Sequence, residues 1–397
     1  MSGGRGVLVM AGGTGGHIFP GLAVADSLRR SGVEVRWLGA RGGMECDKVA
    51  AAGIELDVVD ISGLRGKGAA SWLIGPFKLA RAVWQAFRAL GRQRPSCAIS
   101  FGGYAAGPGG LAAKLRGIPL LVHEQNRVPG MTNRTLARFA DTVLQAFPGS
   151  WPEQTAAPTV GNPVRRDVIS LPAPAERFAG REGPIRILLT GGSQGALALN
   201  RLVPEALGLL ASEQAFEVRH QAGPRWVRET RQAYVKVGIP CWSDQGPDQD
   251  RSDQDQSETA EKSIATDVAP TGEAGSSAVV VDFIEDMASA YAWADVVVCR
   301  AGALTVSEVA AAGVAALFIP YPHAVDDHQT RNAEFLVEAG AALLMQESAT
   351  DARTLAKVLS PLAGDRARLA NMASRGRAVA IPDSADRVAA LCKEYTQ

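Results

Sequence analysis

The sequence predicts an α/β protein of two parallel-sheet lobes facing a cleft, and three observations predict it. Two glycine-rich turns of similar design stand roughly half a chain apart: Gly12-Gly13-Thr14-Gly15-Gly16-His17 after Val7–Ala11, and Gly191-Gly192-Ser193-Gln194-Gly195-Ala196 after Ile185–Thr190. Each joins an apolar, β-branched run to a helix-like segment, the arrangement that turns free backbone N–H groups and a positive helix N-terminus toward an anion. Strand-like and helix-like runs alternate from end to end, which favours parallel sheets with right-handed crossovers. Finally, 397 residues suffice for two domains that each bury a core. The expected architecture is therefore a pair of Rossmann-like domains with a phosphorylated ligand between them.

In the first half the expected strands are Val7–Ala11, Val33–Leu38, Cys97–Ser100, Leu120–His123 and Thr142–Leu144. In the second they are Ile185–Thr190, Ala215–Gln221, Val279–Phe283, Val296–Cys299 and Ala315–Ile319. Gly161-Asn162-Pro163 breaks the pattern, so the lobes divide at residues 1–163 and 164–382, with Ser170–Pro184 read as a linker or loop. After Pro382 an amphipathic helix in 383–397 is expected to return to the first lobe. Residues 244–277 hold nine acidic against two basic side chains and almost nothing apolar. Such a composition cannot offset the entropy of ordering, and it is read as a disordered surface insertion.

Forty-one basic side chains balance forty-one acidic ones, which argues against nucleic acid as the main partner. The five cysteines are scattered without a CxxC pair, a pattern of reducing compartments. The N-terminal apolar run ends at the glycine turn, too soon for a signal peptide, and no run is long enough to span a bilayer. A cytosolic protein is expected.

The first turn is not a dinucleotide fingerprint. After Gly13 and Gly15 the GxGxxG spacing would need glycine where Ile18 stands, and Val33–Leu38 ends in Gly39-Ala40-Arg41 without a ribose-binding acid. NAD is disfavoured. His17 follows the turn at the carboxyl edge, where a general base or phosphate contact belongs; a buried, satisfied histidine is the plainer reading. His123-Glu124-Gln125-Asn126 ends another strand at the same edge, and Asn126 can both donate to and accept from a sugar hydroxyl. Phe101-Gly102-Gly103-Tyr104 supplies a third glycine turn. In the second half, Arg300–Gly302 leads into Ala303-Leu304-Thr305-Val306-Ser307-Glu308. Thr305 and Glu308 have capping-box spacing, while a nucleotide reading sets the first amides on a diphosphate and Glu308 on a ribose. His323, Asp326, Asp327 and His328 fit no standard zinc spacing, and no metal is expected.

Trp72-Leu73-Ile74 precedes a helix-like run from Phe77 to Leu90 in which Phe77, Trp84 and Phe87 form an apolar stripe beside Lys78, Arg81, Arg88 and Arg92. A sheet-packing helix explains the stripe alone. The added cationic row is what an anionic lipid surface attracts.

Gly12–His17, Gly102-Gly103-Tyr104, His123–Asn126, Pro129–Asn133, Gly161–Arg165, Gly191–Ala196 and Arg300–Glu308 together resemble the MurG family of N-acetylglucosaminyltransferases. The match is collinear over nearly the whole chain, with the acidic insertion outside it. The resemblance implies a GT-B fold and inverting transfer, without metal or other cofactor, of N-acetylglucosamine from UDP-GlcNAc to the MurNAc 4-hydroxyl of lipid I, the undecaprenyl-pyrophosphate-linked acceptor of peptidoglycan synthesis. It implies a peripheral position on the cytoplasmic face of the inner membrane, with cell-wall synthesis or division proteins as further partners. Carried over by position, Thr14, Gly15 and Gly16 line the donor's end of the cleft, and Asn126 with Gln329 holds the GlcNAc hydroxyls. Arg165 and Ser193 lie near diphosphate and ribose, Ile284 meets uracil through its backbone, and Ala303 to Glu308 form the nucleotide platform. His17 is the first choice of base and Glu124 the second. A UDP-GlcNAc 2-epimerase or another UDP-sugar transferase of the same fold is the nearest rival, and a nucleotide-binding scaffold without turnover a more distant one.

Overall fold

A computed structural model describes residues 6–61, 69–192, 195–242 and 275–396; the side chains of 69–74 and Val325 lie outside that description. Six strands make the first sheet: β1 (Val7–Ala11), β2 (Val35–Ala40), β3 (Glu55–Val59), β4 (Cys97–Gly102), β5 (Leu120–Glu124) and β6 (Thr142–Gln145). Seven make the second: β7 (Ile185–Thr190), β8 (Phe216–Gln221), β9 (Cys241–Trp242), β10 (Ser277–Val281), β11 (Val296–Cys299), β12 (Ala315–Phe318) and β13 (Ala342–Leu344). The crossover helices of the first lobe are α1 (Gly15–Arg30), α2 (Glu45–Ala51), α3 (Ala69–Gln93), α4 (Ala106–Leu115) and α5 (Met131–Leu136). The second lobe carries α6 (Arg166–Ile169), α7 (Pro174–Phe178), α8 (Leu197–Leu210), α9 (Val227–Lys236), α10 (Met287–Trp293), α11 (Ala303–Ala312), α12 (His328–Glu338), α13 (Ala352–Ala363) and α14 (Arg366–Val379), and α15 (Ser384–Lys393) follows.

Both sheets pair in parallel throughout, in the orders β3-β2-β1-β4-β5-β6 and β13-β12-β11-β7-β8-β10-β9. The order of connection reverses between β1 and β4 in one sheet and between β11 and β7 in the other. Ligands of open parallel sheets bind beyond the carboxyl ends of strands at such switch points. The segments that follow β1, β4, β7 and β11 are Gly12–Gly16, Gly103-Tyr104, Gly191-Gly192 and Arg300–Gly302. Chain topology thus delivers the glycine turns to one place.

Apolar layers flank each sheet, and α15 belongs to the first lobe's: Val388, Ala389 and Cys392 pack with Val24, Ala25 and Leu28 of α1. Asp386 accepts from Ser27 Oγ at 2.5 Å, and Ser384 Oγ donates to the Asn162 carbonyl at 2.8 Å. At the junction Gly161 takes φ +81°, and a Cβ there would press on Ile381 and Ser384, so glycine is required twice over.

Several expectations are corrected. β2 starts at Val35, because Val33 N–H still caps α1 through the Leu28 carbonyl. β10 runs Ser277–Val281 rather than Val279–Phe283, so the insertion ends before Ser277, whose neighbours pair with β8. The remainder, 243–274, lies outside the described residues. The segment 170–184 holds α7, where Arg177 bonds the Tyr291 and Ala312 carbonyls. Three strands are additional: β3 and β13 at sheet edges and the two-residue β9.

The lipid-facing stripe also changes. α3 begins at Ala69, so Trp72, Leu73 and Ile74 are helical, their side chains outside the description. Phe77 and Trp84 are exposed (79% and 56%), with Arg88 stacked over Trp84. Phe87 is not part of that surface. It packs against the core face formed by Ala82, Ala86 and Leu90, covered by Arg116. Its offset of about 60° from Trp84 around the helix axis carries the ring to the side that faces the sheet.

Candidate active site

The carboxyl edges of the two sheets enclose a cleft of about 1990 Å³, lined by both lobes. On the first lobe, Gly13 takes φ +86° and Thr14 precedes α1 without a side-chain cap, so the amides at the start of the helix, Gly15 and Gly16, have no side-chain partner from it. The β4 turn packs onto this one so closely that a Cβ on Gly103 would run into the Gly12 carbonyl. His17, in the first turn of α1, places Nδ1 3.2 Å from the Gly12 carbonyl and 3.4 Å from Thr14 Oγ1. A carbonyl can only accept, so Nδ1 carries the proton and Nε2 is left as the basic nitrogen. Burial lowers the pKa of His17, partly opposed by the Glu124 carboxylate, so the ring is neutral at pH 7.

Glu124, at the end of β5, is buried and saturated. One oxygen accepts from Asn126 N–H (2.9 Å) and Nδ2 (3.1 Å), the other from Gly130 N–H (3.2 Å) and Asn133 Nδ2 (3.0 Å). With four donors on it, this carboxylate fastens the 126–133 loop. Asn126 is likewise engaged at both ends, by Glu124 and by Asn332 Nδ2 across the cleft at 3.1 Å. Asn332 also accepts from Arg127 N–H (2.9 Å), and Arg127 pairs with Glu338 (3.0 Å), so these side chains latch one lobe to the other.

On the second lobe, Gly302 caps α11 without a side chain, leaving the first amides of the helix without a cap from the protein. The capping box is not formed. Glu308 is buried, with Tyr291 O–H donating to one carboxylate oxygen at 3.2 Å and Arg165 Nε ion-paired to the other at 3.4 Å. Burial raises its pKa while Arg165 draws it down. Ala303, Leu304, Thr305 and Glu308 line the cleft, together with Arg165, Ile284 and Gln329. Val306 and Ser307 do not: Val306 is fully buried in the lobe core, and Ser307 donates to the Ala303 carbonyl on a face turned to a smaller cavity at the junction. Gln329 Oε1 accepts from Ala301 and Tyr321 N–H, which aims its amino group away from them. The Ile284 N–H is taken by Gln221 Oε1 (3.0 Å), and Gln221 in turn donates to the Gly192 carbonyl (2.9 Å). Ser193 lies outside the described residues. Thr14, Gly15 and Gly16 line the cleft opposite.

Sequence reasoning missed Gln221, Tyr291, Arg127 and Asn332. Gln221 carried a usable signal, a polar residue at the carboxyl end of a strand beside the switch point; the others act across elements and carried none. His323, Asp326, Asp327 and His328 sit on the approach to α12. Among the described residues no three His, Cys, Asp or Glu side chains gather into a metal-sized group.

The paired switch-point turns and the uncapped start of α11 suit an anionic ligand held between the two lobes. The Glycosyltransferase family 28 N-terminal domain matches residues 7–145, and the family's C-terminal domain matches 186–245 and 250–388. The UDP-N-acetylglucosamine–N-acetylmuramyl-(pentapeptide) pyrophosphoryl-undecaprenol N-acetylglucosamine transferase of Marinobacter nauticus is 46% identical over 98% of this chain and 97% of its own. That of Xanthomonas campestris is 50% identical over 97% of this chain and 81% of its own. The chain belongs to the MurG branch of glycosyltransferase family 28. The crystal structure of Acinetobacter baumannii MurG superposes with a TM-score of 0.78 at 38% identity, covering 98% of this chain and 99% of that one. A putative UDP-N-acetylglucosamine 2-epimerase from Listeria monocytogenes, at 14% identity and a TM-score of 0.63, shares the GT-B fold alone.

Proposed function

We propose that this chain transfers N-acetylglucosamine from UDP-GlcNAc to the N-acetylmuramyl 4-hydroxyl of lipid I. The observation that carries it is the meeting, in one cleft, of a basic imidazole nitrogen on the first lobe with an uncapped helix start and the Glu308–Arg165 ion pair on the second. The α11 amides and Arg165 stabilise the charge that develops on the departing diphosphate. Glu308 takes the ribose hydroxyls, and the Ile284 carbonyl meets uracil. Gln329, with Asn126, holds the sugar. His17 Nε2 accepts the proton of the attacking hydroxyl on the face opposite the leaving UDP, which inverts the anomeric centre. Glu124 serves this site by fastening its loop rather than as the base.

No helix among the described residues is long and apolar enough to cross a membrane. The acceptor's lipid is met at the surface: Phe77 and Trp84 insert among head groups while Lys78, Arg81 and Arg88 face anionic phosphates. On this reading the protein works peripherally at the cytoplasmic face of the plasma membrane, within reach of cell-wall synthesis or division proteins. The deciding experiment incubates the protein with UDP-GlcNAc and a short-chain lipid I analogue and follows released UDP. Wild type should release UDP only with acceptor present, and His17→Ala should lower kcat about 10²–10⁴-fold with a smaller change in KM. Because burial lowers the His17 pKa, kcat should fall only as pH drops below the usual histidine range of about 6.5. Conversion of UDP-GlcNAc without acceptor would overturn the assignment.

A further inference from the structure

Glu45, the first residue of α2, is fully buried, yet it serves no substrate role in the site above. Three glycines make room for it: a Cβ on Gly12, Gly39 or Gly43 would run into its side chain. One carboxylate oxygen accepts from Ala40 N–H at 2.8 Å, the other from Gly13 N–H at 3.2 Å. That second bond matters, because Gly13 N–H and Gly12 C=O are the two ends of a single peptide unit. The same carbonyl accepts from His17 Nδ1 at 3.2 Å. Carboxylate, peptide and imidazole therefore stand in one hydrogen-bonded line. Hydrogen bonds in such a chain polarise each other, and a planar peptide transmits orientation rigidly. A carboxylate bonded straight to Nδ1 does the same for the catalytic histidine of a serine protease; here a peptide is interposed.

We propose that Glu45 is a positioning residue that acts through the Gly12–Gly13 peptide to hold the His17 ring with Nδ1 as donor and Nε2 open to the cleft. This rests on the reading of His17 as the base. The charges around the ring are Glu124 from β5 and Glu45 from α2, which favour its protonated form, and His328 from α12, which opposes it; the Gly12 carbonyl also favours protonation. Removing the Glu45 carboxylate weakens two of these influences in the same direction.

The test follows the His17 imidazole directly. Only five histidines need resolving, and His17→Ala identifies the resonance. In full-length protein with labelled imidazoles, Glu45→Gln should lower the His17 titration midpoint and cut kcat by about tenfold, with donor KM changed under about twofold. Glu45→Asp keeps the charge but is a methylene short of Gly13, so its midpoint and kcat should fall between those of wild type and Glu45→Gln; it carries the test if Glu45→Gln fails to fold. An unshifted midpoint in a folded variant overturns the proposal. A lowered midpoint with undiminished kcat supports the Glu45–His17 link and removes His17 as the base.

Discussion

Each lobe encloses a fully buried neutral histidine whose cost at low pH can be calculated. His220, on β8, is fully buried between Asn200 Oδ1, 2.9 Å from Nε2, and Tyr234 Oη, 3.1 Å from Nδ1. Burial lowers its pKa from 6.5 to about 3. Between those values the unfolded chain binds a proton that the native state refuses, so stability present above pH 6.5 is lost as pH falls through this window. The titration ratio at pH 5 corresponds to about 2 kcal/mol, rising to about 4 kcal/mol at pH 3. His123 repeats the argument in the first lobe with its pKa pushed to about 4, worth about 2 kcal/mol at pH 5. The assay is urea unfolding of wild type and His220→Gln at pH 7.5 and 5.0, with the second-lobe transition followed. Glutamine does not titrate and can keep one of the two hydrogen bonds. The variant should be less stable at pH 7.5 by about 1–3 kcal/mol, yet lose about 2 kcal/mol less than wild type on going to pH 5. Equal losses in the two proteins would refute the reasoning.

Two further outcomes are expected. Glu308→Ala should weaken UDP binding by about 1–3 kcal/mol in calorimetry, the cost of losing charge-assisted hydrogen bonds, and unchanged affinity would remove Glu308 from the ribose. Phe77→Ser with Trp84→Ser should release the protein from anionic vesicles while sparing turnover on a short-chain acceptor, whereas Phe87→Ser should instead lower the melting temperature, because that ring packs against the core.

The switch-point turns were legible because strand, glycine and helix are local in sequence, and topology alone brings their ends together. The edges were less so. β3 alternates acidic with apolar residues at the rim of its sheet and lacks the continuous apolar run of a central strand. In the platform, Val306 with Val309 and Ala310 forms an i, i+3, i+4 stripe, a periodic signal for a core position that assigning the whole run 303–308 to the ligand passed over. Phe87 stands on the boundary of its helix face, where only the docking angle of α3 decides between lipid and core. Asn126 was correctly placed at the cleft, but its bond to Asn332, 206 positions away, depends on how the lobes meet.

The return of α15 to the first sheet has a consequence for how the protein is made. The strands of that sheet are complete at Gln145, but the apolar layer over α1 lacks Val388, Ala389 and Cys392 until those residues leave the ribosome. About 240 residues separate the two events, roughly 12–50 s of synthesis at typical elongation rates. Through that interval part of the face of α1 that α15 will cover stays open while the entire second lobe emerges. Nascent first lobes are therefore predisposed to chaperone capture, and a reporter fused after Val379 will carry a first lobe that lacks its covering helix.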